Sequence, residues 1–72
     1  MKKEILKRIE NSFTYHKPKA DQLERYEAIR NKAKVFAKML AKNCPESREL
    51  LLAFTNLEQV VMYANAAIAR NE

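Results

Sequence analysis

A chain of 72 residues with no glycine and only two prolines has almost nothing in it to interrupt a helix. Glycine and proline are the strongest local breakers, so the sequence reads as all-α, with its breaks around Pro18 and Pro45. Residues 2–10 fit a short amphipathic helix, with Ile5, Leu6 and Ile9 on one side and Lys3, Lys7 and Glu10 elsewhere. A helix that short does not persist alone in water and has to dock on something. The break over residues 11–20 is fixed by Pro18, which pushes His16 and Lys17 toward extended geometry.

Asp21 followed by Glu24 has capping-box spacing, so a second helix is expected from there to about residue 43. Its apolar positions Tyr26, Ile29, Ala33, Phe36, Ala37 and Leu40 recur at helical spacing. Residues 43–47 form a turn, and Pro45 suits the first turn of a third helix reaching about residue 70. In that helix Leu50, Phe54, Leu57, Val61, Ala64 and Ile68 form one stripe, which Leu51, Ala53, Val60 and Ala67 widen. One antiparallel partner cannot cover so wide a stripe, and a lone αα-hairpin would leave apolar surface wet. The expected architecture is a single helical domain over residues 1–72, a hairpin with a short N-terminal arm, assembled into a homo-oligomer.

Size supports self-association. A domain this small usually needs disulfides, a metal or partner subunits for stability. The single Cys44 forms no internal disulfide, and one histidine with one cysteine makes no metal site, so no cofactor is expected. The longest apolar run, residues 50–54, is far too short for a membrane span. No signal peptide is evident, and a free thiol suggests a reducing cytoplasm. Fourteen basic against nine acidic residues give a net charge of +5, which favours anionic partners without naming one.

The residues suited to chemistry suit binding rather than catalysis. The sequence has no Ser/His/Asp arrangement, Gly-rich phosphate loop or His-Glu metal motif, and Cys44 is far in sequence from His16. Residues 13–18 instead place Phe13, Tyr15, His16 and Lys17 in a helix break, where a core has little use for them. Aromatic faces beside guanidinium groups suit a flat, phosphate-bearing ligand, because bases stack on rings and phosphates pair with arginine. Tyr15 either stacks on a ligand ring or covers the edge of an oligomer core. His16 either makes a local loop hydrogen bond or contacts ligand. Lys17 and Lys19 are solvated loop charges unless Pro18 aims them at a phosphate. Arg25 and Arg30 lie about 140° apart around a helix and do not share a face. Asn65, polar within an alanine-rich segment, faces solvent or fixes a register or ligand at an interface. Arg70 complements the helix dipole unless a neighbouring subunit makes it a clamp.

Taken as a set, residues 13–16, Asp21-Gln22, residues 24–30, residues 44–49 and residues 62–72 carry a resemblance. The chain resembles, over about residues 13 to 72, the small phage proteins that sponge immune signalling nucleotides, the anti-CBASS and anti-Thoeris families sharing one helical domain. It departs from their pattern at Lys17 and Leu23, where proline is more usual, and at Tyr63, where tryptophan is expected. The resemblance implies a helical homo-oligomer, typically a hexamer built as a trimer of dimers. It implies non-catalytic sequestration of cyclic di- or trinucleotides, or of cyclic ADP-ribose isomers, in the host cell cytoplasm. By the same resemblance Tyr15 stacks on the ligand and Arg25 or Arg30 meets phosphate, while His16 and Lys17 join the expected ligand-binding set on their own chemistry. Asn65, Arg70 and Asn71 add polar contacts at a pocket between subunits.

Two other readings compete. A small basic helical protein could bind polymeric nucleic acid, but the last helix carries few cations and nothing resembles a basic recognition helix. A helical protein-interaction module could instead use the wide apolar stripe.

Overall fold

The computed structural model describes residues 2–72 and contains three helices: α1 (Lys2–Ser12), α2 (Gln22–Asn43) and α3 (Arg48–Asn71). No strand occurs among the described residues. The all-helical reading therefore holds, with element ends within two or three residues of those expected. α1 continues two residues past its expected end. The Phe13 amide donates to the Ile9 carbonyl at 3.0 Å and the Thr14 hydroxyl donates to the Glu10 carbonyl, which satisfies the last turn.

The connector from Phe13 to Asp21 contains Ala20 at φ +50°, a left-handed conformation uncommon for a residue with a Cβ. Such a residue costs on the order of 1 kcal/mol and persists where surrounding contacts over-determine it. Here the Gln22 amide donates to the Lys19 carbonyl at 3.0 Å, closing the turn around Ala20.

The helix starts differ from expectation at two places. Asp21 precedes α2, but its side chain makes no capping hydrogen bond. Its carboxylate lies 3.2 Å from Arg25 Nε instead. The contact is an ion pair, and the full charge of a guanidinium one turn along draws the carboxylate more strongly than a neutral amide at the helix start. Pro45 is likewise not in the first turn of α3; it sits in the turn, and Ser47 is the cap. Ser47 is extended, and its hydroxyl accepts from the Leu50 amide at 3.1 Å. Replacing Ser47 by alanine is expected to remove about 1 kcal/mol of stability. At fixed protein concentration, thermal denaturation followed by circular dichroism should then show a midpoint about 5 °C lower.

α2 and α3 pack along one another, whereas α1 makes no comparable contact with either. The stripe residues Ile29, Ala33, Ala37 and Leu40 of α2 meet Phe54, Leu57, Val61, Ala64 and Ile68 of α3, and all are half-buried. The molecule is 47 × 31 × 14 Å, one helical layer thick. One layer cannot enclose a core. Among the described residues only Leu50 (8% exposed) and Gln22 (3%) are buried. Phe36 and the widening positions Leu51, Val60 and Ala67 stay exposed, as do Val35, Met39, Met62 and Tyr63. Ile5, Leu6 and Ile9 of α1 are also about half exposed, so the arm is undocked in the single chain.

Candidate functional site

The end of α1, the connector, the start of α2 and the end of α3 converge on a cleft of about 370 Å³. Ser12, Thr14, Tyr15 and His16 form one wall, Tyr26 and Arg30 a second, and Asn65, Ala66, Ala69 and Arg70 a third. The volume falls within the range of small-molecule sites. Two apolar grooves also run along the hairpin itself, but they are lined mainly by the residues of the interhelical stripe.

Helical spacing explains the composition of the cleft. Tyr26 and Arg30 stand four apart on α2, so a phenol ring and a guanidinium share one face. Asn65 and Ala69, and Ala66 and Arg70, repeat that offset on α3, which alternates polar groups with methyl-sized floor residues. Small side chains there leave room for a ligand to approach the backbone. The connector adds Tyr15, which is 81% exposed and projects its ring into solvent beside the opening. His16 is held by a 2.7 Å hydrogen bond between Nε2 and the Asn11 carbonyl. Since that carbonyl only accepts, Nε2 is the donor, and the Nδ1 edge of the ring makes no hydrogen bond among the described residues. Asn65 Oδ1 is buried and has no hydrogen-bond partner. An unpaired buried acceptor is costly, and Asn65 is the cleft residue that carries one.

Of the eight residues singled out from the sequence, five line this cleft: Tyr15, His16, Arg30, Asn65 and Arg70. The other three stand outside it within the single chain. Lys17 is exposed on the connector. Asn71 turns back on its own helix, donating from Nδ2 to the Ala67 carbonyl at 2.9 Å. Arg25 points to the far side of α2, as its 140° offset from Arg30 requires. There it is engaged by Asp21 and Glu72. Five lining residues stand outside those eight, Ser12, Thr14, Tyr26, Ala66 and Ala69, and Tyr26 is the aromatic one among them. By spacing Tyr26 belongs to the apolar stripe of α2, while its i,i+4 relation to Arg30 is the signal that marks it for the cleft.

Arg25 belongs to a second polar cluster at the same end of the hairpin. Its Nη1 donates to Glu72 Oε2 at 2.9 Å, and its Nη2 donates to Oε1, a two-point match of guanidinium and carboxylate. Gln22 Nε2 donates to Glu72 Oε1 at 3.3 Å, and Lys19 Nζ donates to the Glu72 main-chain carbonyl at 2.7 Å. Hydrogen bonds from Arg25 and then Gln22 hold the Glu72 carboxyl down at about 2, and the bond to Glu72 raises Arg25 above its ordinary value. Any stabilisation from Glu72 is fully present above its ordinary value of 4.5 and is lost as the pH falls toward 2. Titration of Glu72 by carbon-13 NMR should therefore give a midpoint near 2. A midpoint near 4.5 would mean that the cluster does not form in solution.

The family model described as Acb2/Tad1, hairpin domain, matches residues 6–69, nearly the whole chain. Searches of the curated proteins and of the solved structures find no match.

Proposed function

Because the chain belongs to the Acb2/Tad1 hairpin-domain family of anti-CBASS and anti-Thoeris sponges, we propose that it sequesters cyclic nucleotide messengers without altering them. The ligand is a cyclic di- or trinucleotide, or a cyclic ADP-ribose-type molecule, and its capture silences bacterial anti-phage signalling. The single observation that carries this reading is the cleft of Tyr15, His16, Tyr26, Arg30, Asn65 and Arg70. Rings and guanidinium groups serve the two halves of a nucleotide, base and phosphate, and Asn65 adds a polar amide to the same wall.

Tyr15 is the principal stacking residue, with Tyr26 across the cleft. Arg30 and Arg70 meet phosphate, and His16 contributes a contact through the ring edge left free by Asn11. Lys17, Arg25 and Asn71 lie outside the cleft of one chain; any ligand contact of theirs is made toward a neighbouring subunit. The chain works as a homo-oligomer, a hexamer by likeness to its family. This is supported by the exposed apolar residues along both hairpin helices and the undocked α1. Residues from two chains then enclose a ligand that neither could bury alone. A sponge needs affinity and abundance rather than turnover. Lowering a micromolar messenger below its effector's threshold takes roughly nanomolar binding, about −12 kcal/mol. No helix among the described residues is long and apolar enough to cross a membrane, and the site of action is the cytoplasm of the infected cell.

The test is release. Purified protein is incubated with a panel of cyclic nucleotides, stripped of free ligand and heated, and the supernatant is analysed by mass spectrometry. Recovery of the intact cyclic compound supports sequestration, and recovery of a linear product would identify an enzyme.

A further inference from the structure

In a chain with almost no buried apolar side chain, the most buried described residue is a glutamine. Gln22 is 3% exposed and bonded at both ends of its amide: Oε1 accepts from the Lys19 main-chain amide at 3.1 Å and Nε2 donates to Glu72. It therefore joins three segments at one point. Lys19 belongs to the connector that carries Tyr15 and His16, Gln22 and Arg25 begin the helix that carries Arg30, and Glu72 follows the helix that carries Asn65 and Arg70. Those same segments form the walls of the cleft. We infer that Glu72 is a positioning residue, the keeper of a Lys19–Gln22–Arg25 clasp that fixes the connector against the hairpin and so sets the shape of the cleft without touching ligand. This rests on the reading of the cleft as a nucleotide site.

Three physical points support it. Ala20, in its left-handed conformation, sits inside the clasp, and such a backbone is retained where neighbouring contacts over-determine it. The connector has little else to hold it: Phe13 (85% exposed) and Tyr15 project into solvent, and His16 is anchored only back to α1 through Asn11. The bonds at Glu72 are also charge-assisted and two-pointed at Arg25, the strongest type the surface offers. A clasp of this kind makes the ligand-ready connector the resting conformation, so less ordering is required on binding.

Glu72→Ala and the milder Glu72→Gln are compared with wild type in two measurements. The first needs no ligand. Amide hydrogen exchange of Lys19 and Gln22, whose main-chain amides are hydrogen-bonded inside the clasp, should quicken about fivefold in Glu72→Ala and less in Glu72→Gln, with helix content and assembled mass unchanged. The second uses whichever member of a panel of cyclic dinucleotides, cyclic trinucleotides and cyclic ADP-ribose isomers wild type binds. Its dissociation constant should rise about threefold or more in Glu72→Ala, with Glu72→Gln intermediate. Unchanged exchange would overturn the inference, and so would faster exchange with unchanged affinity, since the clasp would then be merely structural. Tighter binding in Glu72→Ala would also overturn it, revealing the carboxylate as a competitor for an anion site. If no panel member binds wild type, the sponge reading fails separately, and the clasp is judged on the exchange rates alone.

Discussion

Alanine in place of Tyr15 is expected to weaken capture of the cyclic nucleotide roughly tenfold or more while leaving the assembly intact. The ring is 81% exposed in the single chain, so its removal opens no cavity and breaks no packing within the hairpin. Base–aromatic stacking contributes about 1–3 kcal/mol per base, which corresponds to a factor of roughly five to 150 in affinity. Titration calorimetry beside light scattering separates the two roles open to this residue. Loss of affinity at unchanged mass makes Tyr15 a stacking platform. Parallel loss of mass and affinity would make it an edge residue of the oligomer interface.

Introducing a carboxylate at Val60 should have the opposite outcome. Val60 is 59% exposed in the single chain and lines an apolar groove beside Phe36. On a lone hairpin Val60→Asp would change stability by no more than about 0.5 kcal/mol, as surface substitutions usually do. In an oligomer that covers this face, the same carboxylate would be buried without a partner. That costs several kcal/mol, and 4 kcal/mol weakens association about a thousandfold. Analytical ultracentrifugation should therefore show Val60→Asp dissociated at concentrations where wild type is assembled. An unchanged sedimentation coefficient would exclude this face from the interface.

What was legible in the sequence followed range of interaction. Helix class and ends came from local causes: the absence of glycine, the breaks near Pro18 and Pro45, and apolar positions recurring at helical spacing. The divergence of Arg25 and Arg30 also followed from helix geometry alone, and the two side chains lie on different clusters in the structure. Competition among local partners was harder to read. Asp21 has a capping residue's spacing but pairs with Arg25, whereas Ser47, mentioned only as part of a turn, caps α3. Contacts across fifty residues were not legible at all. Nothing in the pattern marks Gln22 as the partner of Glu72, because polar pairs at that separation have no periodicity. Tyr26 lies between the two cases. It belongs by spacing both to the apolar stripe and to Arg30, and only the folded chain shows it at the cleft.

Native mass spectrometry of wild-type protein mixed with the cyclic nucleotide panel tests the central claim most directly. The predicted spectrum is a multimer of this chain carrying cyclic nucleotide of unchanged mass. A lone subunit with no adduct, or a multimer accompanied by linearised nucleotide, would contradict it.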